Sequence, residues 1–262
     1  MSREIDRLDQ SPTLQPTSFR RRVVLALGGV ILVASVSCAP TPTGGDPIAG
    51  QQWVGRGIPA PGYVFESMSG DRTLDAIQKS IALTFDDGPS EFTLEIAQLL
   101  EDEGVPATFF VVGSEAERSP EIVRKLGEMG FSIGAHTMSH PHLPLDGDSA
   151  QVREIRDSAD LVDGLVPARP TRCLRPPYGE FDATTIEVAR DRGLGVALWT
   201  LDTNDWAQPG VQEIVGRVLA GASDRGVVLL HDGGGDRRQT VDALPWIIFW
   251  LREAGYTFVD LC

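Results

Sequence analysis

The chain has 262 residues, of which 42% are hydrophobic and 23% charged, enough apolar material for a folded domain of ordinary size, which excludes a chain too polar to bury a core. Its formal net charge is −14, and because the first 37 residues carry five arginines against three acidic side chains, residues 38–262 hold −16. So acidic a surface excludes nucleic acid as a partner and excludes recognition of a polyanion by charge alone, whereas a neutral glycan is compatible with it.

In chain order, Arg20, Arg21 and Arg22 precede Val23–Val36, fourteen residues without a charge. That is the basic and apolar layout of an export signal, too short for a comfortable membrane span. Small residues, Ser35-Val36-Ser37, then lead into Cys38. Residues 1–37 are therefore expected to be a lipoprotein-type signal peptide, with Cys38 lipidated and the protein anchored on the outer face of the membrane. A plain signal cut near Cys38 and a twin-arginine signal are the alternatives. Residues 38–50, rich in Pro, Thr and Gly, read as a spacer. Residues 51–80 read as an N-terminal extension in which Trp53, Tyr63 and Phe65 could pack against the domain that begins at residue 81.

From residue 81 onward, short apolar runs alternate with helical patterns. The runs are Ile81–Phe85, Ala107–Val112, Phe131–Ala135, Arg172–Leu174, Gly195–Thr200, Val227–Leu230 and Tyr256–Leu261, and they read as buried parallel strands. Between them Phe92, Ile96, Leu99 and Leu100 fall on one helical face, as do Ile122, Val123 and Leu126, and Val152, Ile155, Ala159 and Val162. Ser119-Pro120 marks a helix start. Seven strands alternating with helices suggest either a βα barrel or a doubly wound sheet. The barrel is favoured because polar clusters follow the C-terminal ends of the strands, where barrel active sites are built.

Five such clusters occur: Thr84-Phe85-Asp86-Asp87-Gly88-Pro89, His136-Thr137-Met138-Ser139-His140, Arg175-Pro176-Pro177-Tyr178-Gly179, Asp202-Thr203-Asn204-Asp205-Trp206 and Leu229-Leu230-His231-Asp232. One Asp and two His form a common ligand set for a catalytic divalent metal, and a second Asp beside the first is placed to act as a base on an attacking water. Neighbouring strand residues point to opposite faces, so the Gly88-Pro89 turn is expected to bring Asp86 and Asp87 to one site. His136 and His140, four apart, are expected on one face of a helical turn. Arg175 can hold a carboxylate in a forked contact, and His231 suits a general acid for an amine leaving group. Trp206 is either one wall of a sugar site or a core residue. His142 is left over, for the rim.

In this order the five clusters resemble the motifs of the polysaccharide deacetylase family, the NodB homology domain of carbohydrate esterase family 4, over residues 81–262. The resemblance implies a distorted (β/α)7 barrel of TIM type and metal-assisted removal of N-acetyl groups from a polysaccharide, releasing acetate. It implies Asp86 as catalytic base and Asp87, His136 and His140 as ligands of one divalent ion, zinc first, with cobalt or iron(II) as alternatives. It also implies Arg175 orienting Asp86, the Tyr178 N–H at the oxyanion, and His231 as acid. Asp205 would tune His231, with Asp202 as its rival, and Tyr178, Trp206 and Leu230 would line the substrate site. An export signal favours peptidoglycan N-acetyl sugars as substrate, then chitin oligomers, then O-acetyl xylan, and a monomer is expected. A wall-binding protein that has lost catalysis is the alternative of another class, and the intact clusters argue against it. In an oxidising compartment Cys173 and Cys262 either pair or stay as buried thiols; a bridge would need the C-terminal tail to bend over the top of the barrel, bracing the turn that carries Arg175.

Overall fold

The computed structural model describes residues 64–65 and 79–262; the expected signal peptide, Cys38, the spacer, Trp53 and Tyr63 lie outside the described residues. The strands are β1 Val64–Phe65, β2 Lys79–Gly88, β3 Ala107–Val111, β4 Ser132–Ala135, β5 Cys173–Leu174, β6 Gly195–Ala197, β7 Leu201–Asp202, β8 Gly226–His231 and β9 Tyr256–Phe258. The helices are α1 Thr93–Asp102, α2 Gly113–Arg118, α3 Pro120–Met129, α4 Asp148–Leu165, α5 Ala183–Arg192, α6 Val211–Gly221 and α7 Arg238–Glu253.

The strands form one sheet in the order β1-β6-β5-β4-β3-β2-β8-β7, with β9 added beside the start of β2, and every pairing is parallel. Three residues, Leu198 to Thr200, carry the chain from β6 near one end of the sheet to β7 at the other. So short a step requires the sheet to curl on itself, and the result is the expected distorted barrel. Two features of the strand count were not expected. The run Gly195–Thr200 is not one strand but ends at Ala197, and the chain pairs again only at Leu201, against β8. The extension also contributes a strand, because Val64 and Phe65 pair with Val196 and Ala197.

Alternation along β2 explains the two layers of core. Ile81, Leu83 and Phe85 pack outward with Ile96 and Leu100 of α1 and Leu244 and Ile248 of α7. Ala82 points inward, into a small cluster with Phe110, Cys173, Ala197, Val227 and Leu261. The two small inward alanines leave room inside the barrel for the Phe110 ring and a tail residue. A separate cluster, including Leu143, Ile155, Leu174, Val188 and Val196, seats α4 and α5 on β4 to β6. Among the described residues no helix is long and apolar enough to cross a membrane.

Cys173 and Cys262 form a disulfide with Cα atoms 5.9 Å apart. The tail reaches it by another route than the top of the barrel. Val259 N–H donates to Ile81 O, the Ser132 hydroxyl to Asp260, and Leu261 N–H to the Thr108 hydroxyl, so the tail runs past the beginnings of β2, β3 and β4, at the end away from the polar clusters. With its cysteines 89 positions apart in the sequence, the bridge should stabilise the fold by about 4–5 kcal/mol in the chain-entropy limit. Replacing both cysteines by serine should therefore lower the unfolding midpoint in a denaturant titration and leave the native spectrum intact; an unchanged midpoint would show that the tail is held by its packing alone.

Candidate active site

The two carboxylates come together through a bulge in β2. Its register against β3 shifts between Asp86 and Gly88, and Asp87 takes a left-handed backbone with φ 72°. An extra residue at a bulge breaks the two-residue alternation, so the strand itself, before the Gly88-Pro89 turn, brings both side chains to one place. Asp86 is buried, and it is the register partner of His231 on β8.

His136 follows directly on β4, and its loop is not the helical turn expected. Residues 136–140 have no helical structure, and Thr137 and His140 are left-handed, with φ 65° and 59°. The two imidazoles still meet, with ring centroids 4.9 Å apart. Their Nε2 atoms lie 3.3 and 3.2 Å from Asp87 Oδ1. Asp87 Oδ1 is buried and makes no well-formed hydrogen bond. Three ligand atoms that converge within 4.8 Å of one another, one of them buried without a donor, fit a divalent cation. His136 Nδ1 lies 2.6 Å from Arg175 O; by donating there it leaves Nε2 as the free lone pair, as a metal-ligating imidazole requires. Burial opposes the charge of Asp87, but the imidazoles of His136 and His140 beside it outweigh that and hold the carboxyl below the usual range.

Arg175 is completely buried. Its guanidinium does not form the expected fork. Nη1 alone donates to Asp86 Oδ1 at 2.7 Å and to the Thr84 hydroxyl at 2.8 Å, while Nε and Nη2 go to the carbonyls of Ala197 and Leu198. Asp86 Oδ2 is thereby left free toward His136 Nε2, 3.8 Å away. Tyr178 sits in a left-handed turn, φ 61°. The turn's own hydrogen bonds run from Gly179 N to Pro176 O and from Glu180 N to Pro177 O, so the Tyr178 N–H stands outside them. Its ring is 54% exposed, edge-on to His140 and stacked at 4.0 Å on His142, which is held in turn by Glu180. His142 is thus a rim residue.

Asp205, not Asp202, partners His231. Asp205 Oδ1 lies 2.7 Å from His231 Nδ1, and Oδ2 accepts from His231 N–H and the Thr240 hydroxyl. Asp202 instead caps Asn204 N–H. Burial works against a charged His231, but the hydrogen bond and charge of Asp205, with Asp86 and Asp87 behind it, raise its pKa above the ordinary value. Trp206 is 53% exposed and so is no core residue. Leu230 does not line the site. It is fully buried in the layer between sheet and helices, because alternation along β8 puts Leu229, not Leu230, on the face of His231.

Two features carried no chemical signal in the sequence. Asp232 is buried and accepts from the Thr93 hydroxyl, while its carbonyl accepts from Ser90. Burial, opposed by that hydrogen bond and reinforced by Asp87 and Asp86, pushes its carboxyl up to about 7. Gly233 and Gly234 lie directly on Asp87: a Cβ at Gly234, where φ is +72°, would stand 2.6 Å from Asp87 Oδ2. Gly234→Ala should therefore displace the carboxylate and weaken the binding of a divalent cation, read by chelator competition, by about tenfold or more. Gly216→Ala, with nothing within 4 Å, should leave it unchanged; equal affinity in both variants would remove Gly234 from the site.

The family model "Polysaccharide deacetylase" matches residues 74–197. A peptidoglycan-N-acetylglucosamine deacetylase of Bacillus cereus is 38% identical over 187 residues, 70% of this chain and 87% of that protein. A chitooligosaccharide deacetylase of Sinorhizobium fredii is 35% identical over 193 residues, 70% of this chain and 90% of its own. Among solved structures, the peptidoglycan N-acetylglucosamine deacetylase Bc1960 superposes with a TM-score of 0.70 at 33% identity, covering 77% of this chain and 91% of that one. With the clusters assembled on one barrel face as above, the chain belongs to the polysaccharide deacetylase family.

Proposed function

We propose that this protein is a divalent-metal-dependent deacetylase that removes N-acetyl groups from a cell-wall glycan, peptidoglycan first, releasing acetate. One observation carries this reading: Asp87 Oδ1 and two imidazole Nε2 atoms converge beside a carboxylate fixed by a buried arginine and a histidine fixed by a buried carboxylate. Relatives named for peptidoglycan and for chitooligosaccharide support the substrate class, and peptidoglycan is preferred because residues 1–37 read as an export signal, with Cys38 as the expected lipidation site. Export places the enzyme outside the cell, at the wall.

Asp87, His136 and His140 would hold the ion, zinc by donor type, with cobalt or iron(II) as alternatives. A divalent cation there supplies Lewis acidity to the amide carbonyl and to the attacking water. Asp86, oriented by Arg175 Nη1, takes the water's proton as it attacks. The Tyr178 N–H donates to the oxyanion that develops on the carbonyl oxygen. His231, kept protonated by Asp205, gives its proton to the leaving sugar nitrogen, so one water and one N-acetyl group become acetate and an amine. The exposed rings of Tyr178 and Trp206 serve as walls for the sugar.

Purified protein should release acetate from peptidoglycan and chitin oligomers, lose this activity to a chelator and regain it with zinc or cobalt. Asp86→Asn should keep the metal and lose about 10²–10⁴-fold in kcat. Acetate release by metal-stripped His136→Ala/His140→Ala protein at the wild-type rate would refute the mechanism, and release from acetylxylan alone would refute the N-acetyl substrate.

The proton on His231 adds a pH test. An acid must be protonated, so the rate falls as pH rises through its pKa, which Asp205 raises. Asp205→Asn should move the alkaline limb of the kcat profile to lower pH; an unmoved limb would assign the acid elsewhere.

A further inference from the structure

The loop between the two histidines is held in a conformation it would not adopt alone. Two side-chain-bearing residues, Thr137 and His140, are left-handed, a region unfavourable to any residue with a Cβ. From one side, the N–H groups of Gly113 and Ser114, at the start of α2, donate to the carbonyls of Thr137 and Met138, both at 2.8 Å. Within the loop, the Thr137 hydroxyl donates to His136 O and accepts from His140 N–H. From the other side comes one carboxylate from α4. Glu154 Oε2 accepts from the N–H of Met138 at 2.9 Å and of Ser139 at 2.8 Å, and Oε1 accepts from the Ser139 hydroxyl at 2.8 Å.

These three contacts fall on the residues between the ligand histidines. Successive backbone N–H groups aimed at one carboxylate make charge-assisted hydrogen bonds, which are shorter and stronger than neutral ones. Among the described residues Glu154 makes no hydrogen bond to either imidazole or to Asp87; its partners are Met138 and Ser139. What it fixes is the path of the chain into His140, whose Nε2 lies 3.2 Å from Asp87 Oδ1. His136 needs no such help, since it follows β4 directly and its Nδ1 is tied to Arg175 O. We propose that Glu154 is a positioning residue of the metal centre: it holds the 137–140 loop so that His140 completes the ligand set, and it sets metal affinity more than fold stability. This rests on the metal reading of Asp87, His136 and His140.

The test is zinc affinity by competition with a chromophoric chelator, with thermal unfolding of each metal-free protein recorded alongside. Glu154→Ala should weaken zinc binding by about 10–100-fold, the usual effect of losing a group that orients a ligand. Glu154→Gln should stay within a few-fold of wild type, because an amide oxygen can accept both backbone N–H groups and the amide nitrogen can donate to Ser139. Because Glu154 acts through His140, Glu154→Ala in a His140→Ala background should add less than about threefold, whereas independent effects would add in full. If Glu154→Ala does not fold, Glu154→Asp, with the same charge on a shorter stem, carries the test and should show the weakened affinity. Wild-type affinity in Glu154→Ala, or a fully additive loss in the double variant, would overturn the proposal alone. Failure of the wild-type protein to bind zinc would overturn the metal reading and the proposal with it.

Discussion

Arg175 is the residue on which the site's construction depends. A guanidinium inside a barrel cannot shed its proton, so the fold must surround it with acceptors. Asp86 and Thr84 of β2 and the carbonyls of Ala197 and Leu198 provide them, and the Phe110 ring of β3 lies 4.1 Å from its centre. The two carbonyls belong to the last residue of β6 and the first residue of the short step from β6 to β7. One side chain therefore ties the carboxylate at the end of β2 to the point where the sheet curls. Removing it would leave Asp86 buried without its partner, a change that costs about 3–5 kcal/mol in buried pairs.

Around that pair the site concentrates negative charge. Asp86, Asp205 and Asp232 are all buried, and Asp87 is partly so. Each is met differently: Asp86 by Arg175, Asp205 by His231 and Thr240, Asp232 by Thr93 with its carboxyl raised. Asp87 Oδ1 is met by two imidazole nitrogens whose Nε2 atoms face it. A cation at that point neutralises the carboxylate and uses both nitrogen lone pairs. The left-handed backbone at Asp87, Thr137, His140 and Tyr178 has the same logic. Each lies in or beside the site, where local strain is tolerated because the surroundings fix it.

Much of this was legible in the sequence because burial in a parallel barrel leaves a plain trace. Apolar runs ending in polar clusters located most of the strands and the face on which Asp86, Asp87, His136, Arg175 and His231 meet. What failed depended on backbone detail that composition does not encode. Spacing four apart suggested a helical turn for His136 and His140, but the contacts from α2 and Glu154 hold a loop instead. Gly195–Thr200 read as one strand because apolar residues do not reveal where pairing partners change. Leu230 was placed in the site because a cluster read as a unit hides alternation. Asp202 and Asp205 could not be separated by distance along the chain; only the fold puts Asp205 under His231. Gly233, Gly234 and Glu154 bear on the site through close approach and hydrogen bonding to neighbours, which a glycine run or a single glutamate does not announce.

The central claim is that the fold brings one aspartate and two histidines to a single cation. A crystal grown with zinc, measured on both sides of the zinc absorption edge, tests it most directly. The account requires one strong anomalous peak bonded to Asp87, His136 Nε2 and His140 Nε2 at about 2.0–2.2 Å. Zinc found elsewhere on the molecule with this triad empty would contradict it.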